Sequence, residues 1–184
     1  ITDYFLKQAE IGNWEKIKFS DVEKKLNLKK NSINKLFSDK INLLEYYSSN
    51  VDKLVINSIS AEEITDNSTS DIIQEFLMNK LDFMNEKKLA ISNIINFYIN
   101  NPKFYLISLK SSKLSTQIFL DQFSYTNNIL RRKLFEKAIL ALYLLSFKKW
   151  LYEDNTNSGA FALIDKGIKR INKSTNFFED LIKK

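Results

Sequence analysis

The chain has 184 residues, 44% of them hydrophobic and 13% aromatic, with three Gly and one Pro. The hydrophobic fraction argues against disorder and allows a sizeable core. Because β folds need many turn residues, the scarcity of Gly and Pro favours long helices. The absence of Cys and His removes disulfides, thiolate nucleophiles, histidine bases and Cys/His zinc sites, so we expect no enzyme, metal or cofactor. The net charge of +6 suits nucleic acid or an anionic membrane surface.

Helical periodicity runs through the whole chain and predicts nine or ten helices without internal repeats. The predicted helices span residues 2–11, 21–26, 31–37, 41–59, 71–84, 86–100, 103–123, 127–153 and 160–172, with a short tail helix from Ser174. The pattern therefore predicts an all-α fold.

Helix boundaries in the first third of the chain are marked by residues with known positional preferences. Gly12 is expected to end the first helix, because Gly is favoured just after a helix C-terminus. Ser20 is the predicted N-cap of the second helix, and Glu23 three residues later completes a capping box. Asn27 stands where the chain must leave that helix, and Asn tolerates the left-handed conformation.

Residues 16–40 concentrate positive charge, with eight Lys against three acidic residues. Such a local excess is what attraction to phosphates requires, although Lys side chains also commonly do no more than solvate a helical surface. Asn can pair with adenine, and Lys can reach guanine or phosphate. The candidate DNA-binding residues are Ser20, Lys29, Lys30, Asn31, Ser32, Asn34, Lys35 and Lys40.

Residues 19–44 are predicted to form two short helices, a tight link and a hinge into a third helix. This stretch resembles the helix-turn-helix of the TetR family of bacterial transcriptional regulators. The positions that match the family pattern are Val22, Leu28, Phe37, Lys40 and Leu43. The resemblance implies that Phe37 seats the reading helix, that Lys40 meets a phosphate, and that the reading helix enters the major groove.

Four positions depart from the family pattern. Asn27 replaces a Gly, Lys29 a capping Ser or Thr, and Asn34 a Tyr. Glu23 replaces a small Ala where the two helices approach closely. A carboxylate at that packed elbow is expected to turn out to solvent or to cost stability.

The same resemblance implies a division of the chain and a set of partners. It implies a DNA-binding head at residues 1–46 and a ligand-binding and dimerisation domain at residues 47–184. It further implies a homodimer that binds double-stranded operator DNA and responds to a small ligand. With neither a signal peptide nor an apolar run of about 20 residues in sight, a cytoplasmic location is the expectation.

The predicted helical body offers parts for a dimer interface and for a pocket. Residues 134–151 are apolar nearly all round, as in helices buried in a core or an interface. A pocket, if formed, would take an apolar ligand, although such aromatic side chains more often simply fill a core. The candidate pocket residues are Phe76, Phe83, Phe97, Tyr98, Phe104, Tyr105, Phe119 and Phe123.

A second resemblance gives an alternative function. The chain is similar to the lipid-binding accessory proteins of ubiquinone biosynthesis, which share the TetR fold. It resembles them in the pair Asn13-Trp14 and in the run Asp121-Gln122-x-Ser124-x-x-Asn127-x-x-x-Arg131-Arg132. An amphipathic tail with Phe177, Phe178, Leu181 and Ile182 would then contact a membrane peripherally, or else dock on the body.

Overall fold

The computed structural model describes residues 1–59, 67–122, 128–154 and 156–182. Within these ranges all regular secondary structure is helical, which confirms the all-α prediction. The helices are α1 (Thr2–Glu10), α2 (Phe19–Lys25), α3 (Lys40–Ser58), α4 (Thr69–Asn85), α5 (Lys88–Phe97), α6 (Pro102–Gln122), α7 (Ile129–Tyr152) and α8 (Ser158–Ile182). Outside the described part of the chain lie Phe123, Ser124, Asn127 and the side chains of Phe177, Phe178, Leu181 and Ile182.

The start of α2 differs from the prediction. Lys18 holds the N-cap position in extended backbone, and the Asp21 carboxylate accepts a hydrogen bond from the Lys18 N–H at 3.2 Å. The predicted capping box of Ser20 and Glu23 is therefore wrong, because Asp21 is the acid three residues after the true N-cap. At the other end Asn27 has φ +51°, which confirms the predicted left-handed conformation.

The predicted helix at 31–37 is also wrong, since residues 30–36 form a succession of turns. Asn31 has φ +60°, a conformation that cannot continue an α-helix. Hydrogen bonds between residues three apart follow, from Ser32 N–H to Lys29 O and from Leu36 N–H to Ile33 O, both at 3.0 Å. Two isolated helical bonds, from Lys35 N–H to Asn31 O at 3.3 Å and from Phe37 N–H to Ile33 O at 2.9 Å, lead towards α3.

The predicted break before the tail does not occur, because α8 continues without interruption to Ile182. Ser174 was expected to start a separate helix. Instead its hydroxyl donates to the Arg170 carbonyl at 3.0 Å, one turn earlier in the same helix. A Ser can remain inside a helix when its hydroxyl donates to the carbonyl four residues earlier. The presence of Ser174 alone therefore did not mark a helix start.

The described chain divides into two compact units, which are taken separately. Unit 1 comprises Ile1–Val51 and Met84–Ser111, and unit 2 comprises Asp52–Phe83 and Ser112–Lys184. The functional division expected at residues 46 and 47 stays a prediction.

Unit 1 has an aromatic core in which α1 packs against α5. Phe5 meets Phe19 edge to face with ring centroids 5.4 Å apart, and Trp14 meets Tyr98 in the same way at 6.5 Å. Asn93 on α5 donates to the carbonyls of Ala9 at 2.9 Å and Glu10 at 3.2 Å, at the end of α1, where carbonyls lack helical partners. The core therefore supports the short helices that carry the candidate site.

Unit 2 contains a buried polar cluster centred on Lys80. This side chain is 1% exposed, and its Nζ lies 2.5 Å from Asp52 Oδ1 and donates to Ser115 Oγ at 2.8 Å. It also lies 4.8 Å from the centroid of the Tyr143 ring. Burial by itself lowers the pKa of Lys80, but Tyr143 and Asp52 outweigh it and hold that pKa above its ordinary value. The buried charge is thus an ammonium paired with a carboxylate.

Candidate nucleic-acid interface

The residues Leu28–Leu36, called the reading segment below, are held by Glu23 of α2. This side chain is 4% exposed. Its Oε2 accepts the Asn31 N–H at 2.9 Å and its Oε1 accepts the Ile33 N–H at 2.8 Å. The expectation that this carboxylate would turn out to solvent is therefore wrong. Two backbone donors compensate its burial, as a buried carboxylate requires.

Apolar anchors fix the C-terminal end of the reading segment. Ile33 is fully buried and Phe37 is buried in the same core, with its ring edge to face against Tyr46 at 5.5 Å. Beside them Leu36 is exposed and lines an open groove of about 340 Å³ together with Tyr46. The hinge residues thus fasten the segment to unit 1 while Leu36 stays at the surface.

Most of the predicted DNA-binding side chains are exposed. Those exposed on the reading segment are Lys29, Lys30, Asn31, Asn34 and Lys35, and Lys24 and Lys25 are exposed at the end of α2. No acidic residue lies between positions 24 and 38. This stretch of surface combines cations that attract phosphates with amides that can read base edges.

Two hydroxyls of the predicted site differ in their setting. Ser20 is exposed on α2, with its Oγ 3.5 Å from Asp21 Oδ1. Ser32 is half-buried and its Oγ is buried without a hydrogen-bond partner. Ser20 is therefore the more accessible of the two.

Lys40 is engaged within unit 1. Its Nζ donates to the carbonyls of Trp14 at 2.5 Å, Glu15 at 3.3 Å and Ile17 at 3.4 Å, and lies 5.1 Å from the Trp14 ring centroid. Burial lowers the pKa of Lys40, and the charge on Glu15 offsets this in part. The ammonium joins the start of α3 to the turn before α2.

Comparison with known proteins is informative at the level of structure. No family model and no curated protein sequence matches the chain. A solved structure, the TetR transcriptional regulator from Nitrosomonas europaea ATCC 19718, matches with a TM-score of 0.74. The match covers 93% of this chain and 95% of that one, at 14% sequence identity. The chain has the TetR fold.

Seven of the eight predicted pocket residues lie in the described part of this TetR fold, four in unit 1 and three in unit 2. Tyr98 and Phe104 stack at 4.6 Å in the core of unit 1, where Phe97 and Tyr105 are exposed. The pair Phe76 and Phe119 stacks at 3.9 Å in unit 2. Phe83 of the same unit is exposed, and Phe123 lies beyond the described residues.

Two further properties follow for the described part of this TetR fold. Its helices include none whose length and apolar character would suffice to cross a bilayer. Its acidic side chains nowhere gather into a group of three that could hold a metal ion.

Proposed function

We propose that this protein is a DNA-binding transcriptional regulator of TetR type. The observation that carries the proposal is the reading segment, whose exposed Lys and Asn side chains are held by Glu23, Ile33 and Phe37. The TetR fold supports it, because the matching structure is that of a TetR transcriptional regulator. Such a regulator has no catalytic role and works in the cytoplasm on double-stranded operator DNA.

In this proposal the contacts have separate tasks. Lys29, Lys30 and Lys35 neutralise phosphates and release counterions, which gives affinity without sequence information. Asn31 and Asn34 offer amides that can pair with adenine in the major groove and supply discrimination. Ser20 on α2 donates to a phosphate beside the groove.

A homodimer is part of the same proposal and is supported by an exposed stripe on α7. Leu134, Ala141, Leu145 and Tyr152 are exposed and follow one another at spacings of seven, four and seven residues. At about 3.6 residues per turn these spacings place them on one line along the helix. Apolar residues in that pattern are typical of a helix that packs against another helix. The occupant we propose is the same stripe of a second copy.

Ligand control completes the proposal. A small apolar ligand bound in the helical body would change the spacing of the two reading segments of the dimer, so that they no longer fit half-sites about one helical turn apart. The lipid-binding alternative finds no specific observation in its favour among the described residues.

Selection of binding sites from randomised DNA at near-physiological salt tests the proposal. We expect enrichment of a two-fold symmetric motif, as two reading segments in a homodimer require. The control is a variant with Lys29, Lys30 and Lys35 all changed to Ala, which should enrich nothing. Weak wild-type binding that enriches no motif and vanishes with salt would overturn the proposal, and co-purified isoprenoid lipid would then favour the alternative.

A further inference from the structure

We propose that Glu23 is a positioning residue for DNA recognition, and that its carboxylate fixes the backbone of the reading segment and thereby sets sequence specificity. The inference rests on the proposed function and goes beyond it. It gives a role to a residue that touches no DNA and is buried beneath the surface that does.

Glu23 holds the reading segment at three points. Its main-chain carbonyl accepts the Leu28 N–H at 2.8 Å, at the start of the segment. Its side-chain oxygens take the N–H groups of Asn31 and Ile33, each oxygen with its own donor. Hydrogen bonds to an ionised acceptor are stronger than neutral ones, so one residue defines the path of six consecutive residues.

The reading segment needs this external support because it lacks the hydrogen-bond ladder of an α-helix. Its backbone turns at Asn31, with φ +60°, and the chain leaves α2 through Asn27, with φ +51°. Backbone N–H groups that converge around such a turn form a concave site for an anion, and the Glu23 carboxylate occupies it. A TetR-type head with a regular reading helix and a small Ala at this position would not need the carboxylate.

Specificity depends on this support more than non-specific affinity does. Asn34 and Lys35 follow directly after Ile33, whose N–H bonds to Glu23 and whose side chain is fully buried. Base-edge contacts require side chains at fixed positions, whereas attraction of Lys to phosphates tolerates a mobile backbone. Loss of the carboxylate should therefore lower binding to the selected motif while leaving binding to other DNA intact.

The test is Glu23→Gln in the full chain, with Glu10→Gln as the matched control. Gln keeps the size of Glu but presents an amide NH₂ to one of the two N–H donors, so one hydrogen bond is lost. Glu10 is exposed on α1, and its substitution makes the same change in net charge. The measurements are affinities for the selected motif and for a scrambled duplex at one salt concentration. Exchange of the Asn31 and Ile33 amide protons is followed by NMR.

We expect Glu23→Gln to reduce the ratio of the two affinities roughly tenfold or more, with faster exchange of at least one of the two amides. Glu10→Gln should change neither. An unchanged ratio would overturn the inference, and so would unchanged exchange of both amides. If Glu23→Gln does not fold, Glu23→Asp, which keeps the charge but is too short for both donors, must show the same loss. A wild-type chain that selects no motif would instead refute the proposed function, while the amide exchange would still report whether Glu23 holds the segment.

Discussion

At the scale of single residues, Lys35 and Lys40 separate two uses of a positive charge. Both belong to the predicted DNA-binding set, yet Lys35 is exposed on the reading segment and Lys40 donates to three backbone carbonyls. An ammonium whose N–H groups already donate to protein carbonyls is less available to bind a phosphate. Substitution of each should therefore affect a different measured quantity.

Lys35→Ala should weaken DNA binding without affecting stability. Loss of one phosphate contact lowers the slope of log affinity against log salt by about one. The measurement is DNA affinity at several salt concentrations, with the thermal midpoint as a check on folding. Lys7→Ala, which removes an exposed Lys from α1, is the control and should leave the slope unchanged. A Lys35→Ala variant with the wild-type slope would show that this side chain meets no phosphate.

Lys40→Met should instead lower the free energy of unfolding by about 1–3 kcal/mol, because it removes a charged donor from the carbonyls of Trp14, Glu15 and Ile17. Denaturant unfolding measures this change. The salt slope of DNA binding should stay at its wild-type value while the variant is folded. A reduced slope with unchanged stability would restore the phosphate contact that the family resemblance implies for Lys40.

Glu23 also shows what the sequence could and could not reveal about the site. The sequence identified the exposed cations and amides, because charge and residue type are read directly. It did not reveal that Glu23 accepts N–H groups eight and ten residues away, since such bonds depend on the backbone path after Asn27. The one available signal was the pair of Asn residues at positions 27 and 31, which both adopt positive φ.

At the scale of elements, the polar cluster in unit 2 joins four helices. Asp52 lies on α3, Lys80 on α4, Ser115 on α6 and Tyr143 on α7. Periodicity could predict these helices but not the cluster, because each polar residue is unremarkable in its own segment. A buried ion pair is costly to break and much less costly to replace.

Lys80→Met should lower the free energy of unfolding by about 3–5 kcal/mol, since it leaves the Asp52 carboxylate without its cation. Adding Asp52→Leu should recover most of that loss, because the pair is then replaced by apolar groups. Denaturant unfolding of the wild type, both single variants and the double variant measures the coupling. Additive losses in the double variant would show that the two side chains do not stabilise one another.

The same cluster predicts a loss of stability at alkaline pH. Burial raises the pKa of Tyr143, so the phenol loses its proton at a higher pH in the folded than in the unfolded chain. Stability from this group is present below about pH 10 and declines as the pH rises further, because deprotonation then favours the unfolded chain. The raised pKa of Lys80 acts in the same direction.

Free energies of unfolding measured from about pH 8 to about pH 11 check this dependence. The wild type should lose stability over the alkaline part of the range, and Tyr143→Phe should lose less. Tyr105→Phe is the control, because Tyr105 is exposed and lies outside the α7 stripe, and it should leave the profile unchanged. Parallel profiles for wild type and Tyr143→Phe would contradict the role given to the buried phenol.

At the scale of the whole molecule, some parts of the TetR fold could be predicted from the sequence and others could not. The first and last residues of long periodic helices such as α3 and α7 were predicted to within a few positions. The fold also survives at 14% identity to its structural match, so periodicity and the hinge carried more information than residue identity. Prediction failed at the third helix, where local hydrogen bonds to Glu23 replace helical ones.

The exposed stripe on α7 gives a prediction for the assembled protein. Leu145 is 59% exposed in the single chain, and the stripe also contains Leu134 and Tyr152. If two copies meet through this stripe, Leu145→Glu introduces a buried like-charge pair across the two-fold axis and should yield a monomer. Sedimentation measures the assembly, and DNA binding should weaken by roughly a hundredfold or more as the second reading segment is lost.

Leu106→Glu is the matched control for this prediction, because Leu106 is 69% exposed on α6 and its substitution adds the same charge. That variant should remain a dimer and bind DNA as the wild type does, apart from a small general effect of charge. A dimer that persists in Leu145→Glu would place the interface elsewhere. A wild-type monomer would remove the basis for a two-fold symmetric operator, since one reading segment can recognise only one half-site.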